Sequence, residues 1–386
     1  MSNVTDIPNG WIQTTIGQLV ELAQGVAINA KTKHVLSSEN EGIPLLKINN
    51  LINETIDQYA NPDLVPEKSI IHKNDVIFTR TGQVGEVFKN KFGILHNNSF
   101  KVIPNEKLHW SYLYWYLKDR RVYNYVQKVA AGSVQKDLNH GAFKTIEFKY
   151  PKDIEEQKEI ANILSAFDDK IENLQAQNNT LEQTAQTIFK EWFGKYQVGD
   201  ELPEGWDYKT LDEVSILSAG GDKPKKVSEE RTDFFNTPIY SNGINNKGLY
   251  GFTDKPKIEK ESVTVSARGT IGYVCIRFEP FVPIVRLVVA IPVQEFISSK
   301  YLYLYLKNIN ILSTGTTQQQ LTVPAFKQEK ILIPKASVMK EFTSICDSLF
   351  SKILVNESQI QTLKQTRDTL LPKLMSGQIR VNEFKS

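Results

Sequence analysis

The chain has 386 residues, 40% of them apolar, so it can bury more than one hydrophobic core. Its formal net charge is only +2, from 46 basic and 44 acidic side chains, which excludes a protein that holds nucleic acid by overall charge alone. The two cysteines, Cys275 and Cys346, lack partners at metal-ligand spacing and favour a reducing cytoplasm. The sequence shows no signal-peptide pattern and no uninterrupted apolar run of membrane-spanning length, so we expect a cytoplasmic protein without membrane contact.

From its first residues onward, the chain contains a pattern that recurs about 183 to 195 residues later. Five blocks keep their order in both copies, which predicts a duplicated structural unit rather than chance similarity. Each copy mixes β-branched runs, typical of strands, with shorter helical segments. The matching blocks are 7–11 with 202–206, 43–45 with 237–239, 80–85 with 267–272, 112–117 with 301–306, and 132–138 with 315–321.

Polar loops follow the predicted strands in both copies and carry side chains suited to DNA. Lysines can contact phosphates, arginines on glycine loops can reach phosphate or guanine, and amides can pair with adenine. A solvated loop is the competing interpretation of each one, and their recurrence in both copies favours DNA binding. The candidate residues are Lys31, Lys33, His34, Lys47, Asn49, Arg80, Thr81, Gln83, Ser133, Gln135 and Lys136 in the first copy, and Lys223, Lys225, Lys226, Ser241, Asn242, Arg268, Thr270, Thr316, Thr317, Gln318 and Gln319 in the second.

An aromatic segment in each copy has a different interpretation. Tyr112, Trp115 and Tyr116 follow a helical spacing within an apolar stretch. This pattern predicts a helix packed against the sheet of its own domain rather than a platform for base stacking.

After Pro151 and again after Pro334, the pattern becomes helical, with apolar residues at alternating steps of four and three. Each run predicts a helix of roughly 40 residues, about 60 Å long. The first helix leads into the second copy, so a second helix leaving that copy in the same manner must be antiparallel to it, with the chain ends close together. Full overlap would place Asn178 opposite Asn356 as a polar register lock. The predicted coiled-coil and partner-contact positions are Glu156, Gln157, Ile160, Leu164, Phe167, Ile171, Leu174, Asn178, Leu349, Ile353, Asn356, Ile360, Leu363, Leu370 and Leu374.

No complete catalytic set is found in the sequence. The five histidines are scattered singly, and neither a phosphate-binding glycine loop nor a nuclease metal motif is complete. We therefore expect no catalytic and no metal-binding residues in this chain.

Two segments resemble known conserved regions. Residues 151–172 (PKDIEEQKEIANILSAFDDKIE) resemble the central conserved region of the specificity subunits of type I restriction-modification systems, and residues 371–379 (LPKLMSGQI) are similar to their C-terminal conserved region. The Gly-Trp openings at Gly10-Trp11 and Gly205-Trp206, and the glycine and glutamine loops at 132–135 and 315–318, match as well. The resemblance thus covers nearly the whole chain.

The resemblance implies an α+β fold with two pseudo-symmetric α/β target-recognition domains joined by an antiparallel coiled coil of two long helices. The domains would be residues 1–152 and 196–334, followed by the helices at 153–195 and 335–386. Each domain would read one half of a split double-stranded DNA site, and the helix pair would set the gap.

The resemblance also implies partners. Two methyltransferase subunits would bind S-adenosylmethionine and methylate adenine, and restriction subunits would use ATP and Mg²⁺, whereas this chain would bind no cofactor itself. Counted from the two prolines, Glu156-Gln157 aligns with Met339-Lys340, so a partner contact made by the first pair need not recur in the second copy.

Three alternatives remain open at this stage. One is a structural coiled-coil scaffold joining two protein-binding domains, which would not need the arginine and glutamine loops in both copies. Another is a protein derived from a methyltransferase whose catalytic part has been lost. A third is a solitary targeting protein without a methyltransferase partner.

Overall fold

The structure, a computed structural model, describes residues 7–132, 136–309 and 321–381. The chain forms two compact units, which are described separately. Unit 1 consists of residues 1–173 and 359–386, and unit 2 of residues 174–358.

Unit 1 is built on three sheets, with strand orders β2-β10-β7-β8, β3-β5-β4-β9-β6 and β1-β11. Its elements are β1 (Trp11–Thr15), β2 (Val20–Gln24), β3 (Leu36–Ser37), β4 (Ile43–Leu46), α1 (Ile48–Asn53), β5 (Tyr59–Ala60), β6 (Ile70–Ile71), β7 (Val76–Thr79), β8 (Val87–Phe88), β9 (Gly93–Leu95), β10 (Ser99–Pro104), α2 (Trp110–Lys118), α3 (Arg120–Val129), α4 (His140–Lys144) and β11 (Glu147–Pro151). The long helix α5 (Ile154–Phe193) contributes its first half to this unit.

Unit 2 has sheets with strand orders β13-β19-β16-β17, β15-β14-β18 and β12-β20. Its elements are β12 (Asp207–Thr210), α6 (Leu211–Val214), β13 (Ser215–Ala219), β14 (Thr237–Tyr240), β15 (Leu249–Thr253), β16 (Ser262–Val265), β17 (Val274–Arg277), β18 (Val282–Pro283), β19 (Val288–Pro292), α7 (Ser299–Asn308), α8 (Val323–Lys327) and β20 (Lys330–Ile333). A second long helix, α9 (Ala336–Met375), contributes its first part to unit 2 and its last part to unit 1.

The four-stranded sheets of the two units have the same topology. The order β2-β10-β7-β8 in unit 1 corresponds strand by strand to β13-β19-β16-β17 in unit 2, and each inner strand pairs antiparallel with its neighbours. Strands β7 and β16 are buried at every position because both faces of the sheet are covered. The duplication and the α+β class predicted from the sequence are confirmed.

The aromatic helices α2 and α7 pack into the cores of their own units, as predicted. Tyr112 on α2 is fully buried and donates a 2.9 Å hydrogen bond from its hydroxyl to the carbonyl of Lys149. Tyr301 on α7 does the same, donating at 2.5 Å to the carbonyl of Leu332. Both tyrosines therefore tie their helix to the sheet, and neither ring is accessible for stacking on a nucleobase.

The long helices lie antiparallel within each unit. In unit 1, Asp168 of α5 forms an ion pair with Arg367 of α9, and Leu164 shares a core with Leu371. In unit 2, the rings of Phe193 and Phe342 lie 5.0 Å apart, where α5 ends and α9 begins. The seam positions predicted from the heptads are all buried or half-buried.

The two ends of the described chain meet in unit 1, as expected. Arg380 donates to the carbonyl of Asn9 at 3.1 Å and to the carboxylate of Glu156 at 3.1 Å. A Cβ added at Gly377 would lie 2.5 Å from Pro8, so the approach is close. The chain end thus fastens the start of unit 1 to the first turn of α5.

One detail of the sequence alignment is wrong by one residue. Gln157 lies one helical turn before the buried Ile160, and Met339 lies one turn before the buried Phe342. Gln157 therefore corresponds to Met339 rather than to the exposed Lys340. The segment between the proline and the first buried helical position is one residue shorter in the second copy, so counting from the prolines misaligns the helices.

Candidate nucleic-acid interface

Backbone hydrogen bonds bring several of the predicted loops of unit 1 together. Asn97 donates to the carbonyl of Val26 at 3.0 Å, and His96 donates to that of Leu46 at 3.0 Å. Arg80 donates to the carbonyl of Asn98 at 2.8 Å, which joins the arginine loop to the same place. The loops that carry Lys31, Lys47 and Arg80 therefore form one loop cluster where β2 ends and β10 begins.

A glycine in each unit permits this close approach. A Cβ at Gly25 would lie 2.4 Å from the carbonyl oxygen of His96, and one at Gly220 would lie 2.7 Å from the backbone nitrogen of Ile284. Each glycine directly follows the strand that pairs with β10 or β19. Gly25 donates to the carbonyl of Ser99, the first residue of β10, and Gly220 donates to that of Leu287, the residue before β19. The match between the units shows that the loop clusters are built on the same plan.

Arg80 is not a free cation in this structure. Its guanidinium donates to both carboxylate oxygens of Asp137, at 2.7 and 3.0 Å, and to Gln24 at 3.2 Å. Thr81 donates to the same carboxylate at 2.6 Å. The hydrogen bonds from Arg80 are the main reason why the pKa of Asp137 is held below its usual value. Arg80 would have to exchange this partner, or share it, to contact DNA.

The remaining candidates of unit 1 fall into two groups. Lys31, Lys33, His34, Asn49 and Gln83 are exposed. Lys47 is half-buried and bonds to Asp57 at 3.1 Å, and Lys136 is exposed and donates to Gln127 at 2.9 Å.

Two half-buried histidines of unit 1, His96 and His140, have lowered pKa values. The pKa of His96 is lowered first by burial and then by the charge of Lys47. The pKa of His140 is lowered by burial and then by Arg80 and Lys144. Burial is the larger cause in both cases, and nearby cationic side chains act in the same direction.

In unit 2, Asn242 acts as a brace between loops. Its amide nitrogen donates to the carbonyl of Val285 at 2.6 Å, and its amide oxygen accepts from the backbone nitrogen of Ala267 at 2.8 Å. Its carbonyl accepts from the Ser266 hydroxyl at 2.9 Å. Asn242 was predicted to contact DNA, and the structure gives it a positioning role in which its side chain is already occupied.

The lysine loop of unit 2 lies on the surface. Lys223 donates to the hydroxyl of Tyr250 at 3.3 Å, Lys226 lies 3.6 Å from Asp254, and Lys225 is exposed. The exposed residues Arg268 and Thr270 flank Gly269, where φ is +69°. Ser241 is half-buried beside Asn242.

The two predicted arginines occupy adjacent rather than equivalent positions. Leu138 donates to the carbonyl of Arg80, and Leu321 donates in the same way to that of Ala267. Arg80 therefore corresponds to Ala267, and Arg268 to Thr81. The two units therefore carry these arginines at different positions of equivalent loops.

Six candidates lie outside the described residues. They are Ser133, Gln135, Thr316, Thr317, Gln318 and Gln319.

Sequence reasoning did not single out Asn98, Asp137 or the pair Val285-Arg286. In unit 1, His96 bridges to Val26, and in unit 2, Ile284 bridges to Gly221, so Asn98 and Arg286 are structurally equivalent. For Asn98 and Arg286, the signal available in the sequence was a polar residue shortly before a buried strand. That position is distinctive only once the pairing of the strands is known.

The part of the chain that the structure describes contains no cluster of three or more histidine, cysteine, aspartate or glutamate side chains placed to bind a metal. In the same residues, no helix is both long and apolar enough to cross a bilayer.

Two copies of one α+β unit, antiparallel long helices and local basic loops define the class of two-domain DNA-recognition proteins. A family model described as "Type I restriction modification DNA specificity domain" matches residues 8–183 and 203–365. The chain belongs to this family.

Relatives cover the chain over most of its length. It is 27% identical to the type I restriction enzyme MjaIX specificity subunit of Methanocaldococcus jannaschii, over 99% of this chain and 96% of that protein. It is 28% identical to a putative type I specificity subunit of Mycoplasma pneumoniae, over 71% of this chain and 74% of that one. The crystal structure of the S subunit of a type I restriction-modification system from M. genitalium has a similar fold, with a TM-score of 0.57 at 18% identity, covering 97% of this chain and 98% of that chain.

Proposed function

We propose that this chain is the non-catalytic, sequence-reading subunit of a type I restriction-modification complex in the cytoplasm. Each unit contacts one half of a bipartite double-stranded DNA target through its loop cluster. The chain supplies recognition only. Two methyltransferase subunits provide S-adenosylmethionine-dependent adenine methylation, and restriction subunits provide cleavage with ATP and Mg²⁺.

The observation that carries this proposal is the repeated loop cluster. In both units a glycine follows the edge strand β2 or β13, the segment before β10 or β19 packs against that glycine, and a second glycine loop joins the same place. Exposed lysines accompany this arrangement in each unit, together with the half-buried Arg80 in unit 1 and the exposed Arg268 in unit 2. A scaffold that only joined two protein-binding domains would not require cationic loops on the same backbone frame twice.

The helix pair supports a fixed gap between the two half-sites. Helices α5 and α9 each have 40 residues, and each contributes to both units. A helix of this length spans about 60 Å, compared with about 34 Å for one turn of DNA. Their seam includes a polar pair, the half-buried Asn178 and the fully buried Asn356, which disfavours a shifted register.

The test is to express the chain with its neighbouring methyltransferase subunit in a bacterium that lacks adenine methylation. Single-molecule sequencing then maps methylated adenines over the genome, with the methyltransferase alone as control. We expect a split motif only when both proteins are present. A soluble, co-purifying complex that adds no methylation would overturn the proposal in favour of a structural scaffold.

A matched variant sharpens this test. Arg80→Ala in unit 1 should relax recognition of one half of the motif and leave the other half and the gap unchanged. A variant that changed both halves equally would contradict the assignment of one half-site to each unit.

A further inference from the structure

The segment that joins β18 to β19 in unit 2 has an unusual backbone. Val285 and Arg286 are consecutive and have φ angles of +53° and +59°. Such angles are uncommon outside glycine, and for a β-branched residue such as valine they mark a true outlier. Asn97 and Asn98, the equivalent residues of unit 1, are not among the residues with positive φ. The strain is therefore specific to unit 2.

The surroundings hold this turn in place. Val285 donates to the carbonyl of Gly221 and Arg286 donates to that of Gly220, both at 2.9 Å, while the Asn242 side chain bonds to the carbonyl of Val285. Backbone strain persists only where neighbouring contacts over-determine it, and it concentrates at functional sites. The turn is thus built to keep two side chains in a set position.

Those two side chains are exposed. Val285 is 50% exposed, and Arg286 is exposed beside it. Among the residues that the structure describes, Arg286 has no side-chain hydrogen bond or ion pair. By contrast, Arg231 of the same unit is paired with Glu279, and Arg277 is buried against Tyr240, with its guanidinium carbon 3.6 Å from the ring centre.

The turn lies among the loops assigned to DNA. Gly221 leads directly into the lysine loop, and a Cβ at Gly221 would lie 3.5 Å from the ammonium nitrogen of Lys257. Asn242 ties the turn to the backbone of Ala267, the residue before Arg268. Asp222 is the acidic residue of this segment. Despite Asp222, the segments around the turn carry several cationic side chains, which binding of a polyanion would require. They are Lys223, Lys257, Arg268 and Arg286.

We propose that Arg286 is a DNA-contacting residue, held ready by the strained turn, in the half-site read by unit 2. This inference rests on the proposed function and adds a residue that unit 1 does not have, since Asn98 stands in its place. The guanidinium fits acceptor oxygens of DNA, either at a guanine edge or at a phosphate.

The test uses the complete complex with its methyltransferase subunits and compares Arg286→Ala with Arg231→Ala. Both variants lose one positive charge from unit 2, but Arg231 is already paired. Affinity is measured by fluorescence anisotropy on the mapped target duplex, on duplexes altered in one half-site at a time, and over a range of salt concentrations.

We expect Arg286→Ala to weaken binding of the target by about 10- to 100-fold and Arg231→Ala to change it less than about twofold. Loss of discrimination confined to one half-site identifies a base contact. Uniform loss with a smaller salt slope identifies a phosphate contact. Equal affinity of Arg286→Ala and the unaltered complex overturns the proposal.

Two further measurements separate the possible failures. Thermal unfolding of Arg286→Ala should match that of the unaltered chain, because an exposed, unpaired side chain adds little stability. Arg286→Lys should recover part of a phosphate contact and little of a bidentate base contact. If the unaltered complex binds its target and Arg286→Ala binds equally well, only this inference fails; if the unaltered complex binds no duplex, the proposed function fails.

Discussion

Asn356 donates a 2.8 Å hydrogen bond from its amide nitrogen to the amide oxygen of Asn178, where α9 and α5 pack together in unit 2. Asn356 is fully buried, and its own amide oxygen has no hydrogen-bond partner within the described residues. The pairing predicted from the heptads is confirmed. A polar pair of this kind, with one fully buried member, costs stability and in return fixes the register of the two helices.

We therefore expect Asn178→Ala to lower the free energy of unfolding by about 1–3 kcal/mol, because it leaves both polar atoms of Asn356 buried and unpaired. Replacing both residues by leucine should restore or exceed the original stability. The measurement is chemical denaturation followed by circular dichroism. Asn179→Ala, at the exposed neighbouring position, is the control. Equal effects of the two single variants would contradict the role of the pair.

Gln157 is fully buried and satisfies three backbone groups of unit 1. It accepts from the nitrogen of His109 at 2.7 Å and donates to the carbonyls of Lys107 and Pro151, both at 2.9 Å. Gln157→Met should cost about 2–4 kcal/mol, because it introduces the residue that unit 2 has here and leaves these groups unpaired.

The reciprocal change tests the same point. Met339→Gln should cost about 1–3 kcal/mol, because it buries an amide where the chain prepares no partners. The melting temperatures of both variants are compared with that of Gln175→Met at an exposed position of α5. If either exchange left the melting temperature unchanged, the two positions would be interchangeable. The view that Gln157 satisfies buried groups absent around Met339 would then be wrong.

Gly220 and Gly221 offer a matched pair for the loop cluster of unit 2. A Cβ at Gly220 would lie within 2.8 Å of backbone atoms of Ile284, whereas one at Gly221 would meet only the end of a lysine side chain at 3.5 Å. We expect Gly220→Ala to cost about 2 kcal/mol or more and to weaken recognition of the unit 2 half-site, while Gly221→Ala stays within about 0.5 kcal/mol of the original. Thermal unfolding and half-site binding measure the two effects. If Gly220→Ala and Gly221→Ala had similar stabilities, the backbone segments at Gly220 and Ile284 would be able to move apart at little cost.

Asp137 competes with DNA for Arg80. Asp137→Asn removes the carboxylate and should raise affinity for non-specific duplex by about 3- to 10-fold at low salt, with a steeper salt dependence, because Arg80 then becomes available to phosphate. Discrimination by unit 1 should fall, since Asp137 also positions Thr81. The control Glu147→Gln makes the same charge change on β11. If both variants raised affinity equally, net charge alone would be responsible.

Glu182 of α5 gives unit 2 a defined sensitivity to acid. Burial acts to raise the pKa of its carboxyl, but hydrogen bonds from Lys307 and Tyr303 outweigh burial and hold the pKa below its ordinary value of 4.5. A carboxyl with a depressed pKa in the folded state adds stability above the unfolded value and loses it as the pH falls through the folded value. We expect the denaturation midpoint of the Glu182→Gln variant to be lower at neutral pH and to vary less with pH below about 4.5. If the denaturation midpoints of the variant and of the original protein changed with pH in parallel, this role of Glu182 would be contradicted.

Part of the structure was predictable because it depends on local periodicity. The repeat, the two helices, their antiparallel direction and the partnership of Asn178 with Asn356 follow from the spacing of apolar residues and from connectivity. The burial of Tyr112 likewise follows from helical spacing within an apolar run.

Tertiary structure alone decided the rest. Asp137 is 57 residues from Arg80, and the ion pair between them depends on the path of two loops that no periodicity describes. Gln157 was predicted as a partner contact, but it faces the interior of unit 1, and only the buried helical positions show that Met339 is its counterpart in unit 2. The strain at Val285 depends on hydrogen bonds that hold the turn from both sides. Sequence periodicity determines which faces are apolar, whereas the closing of loops is determined by contacts between residues far apart in the chain, where a shift of one residue changes which side chain reaches the surface.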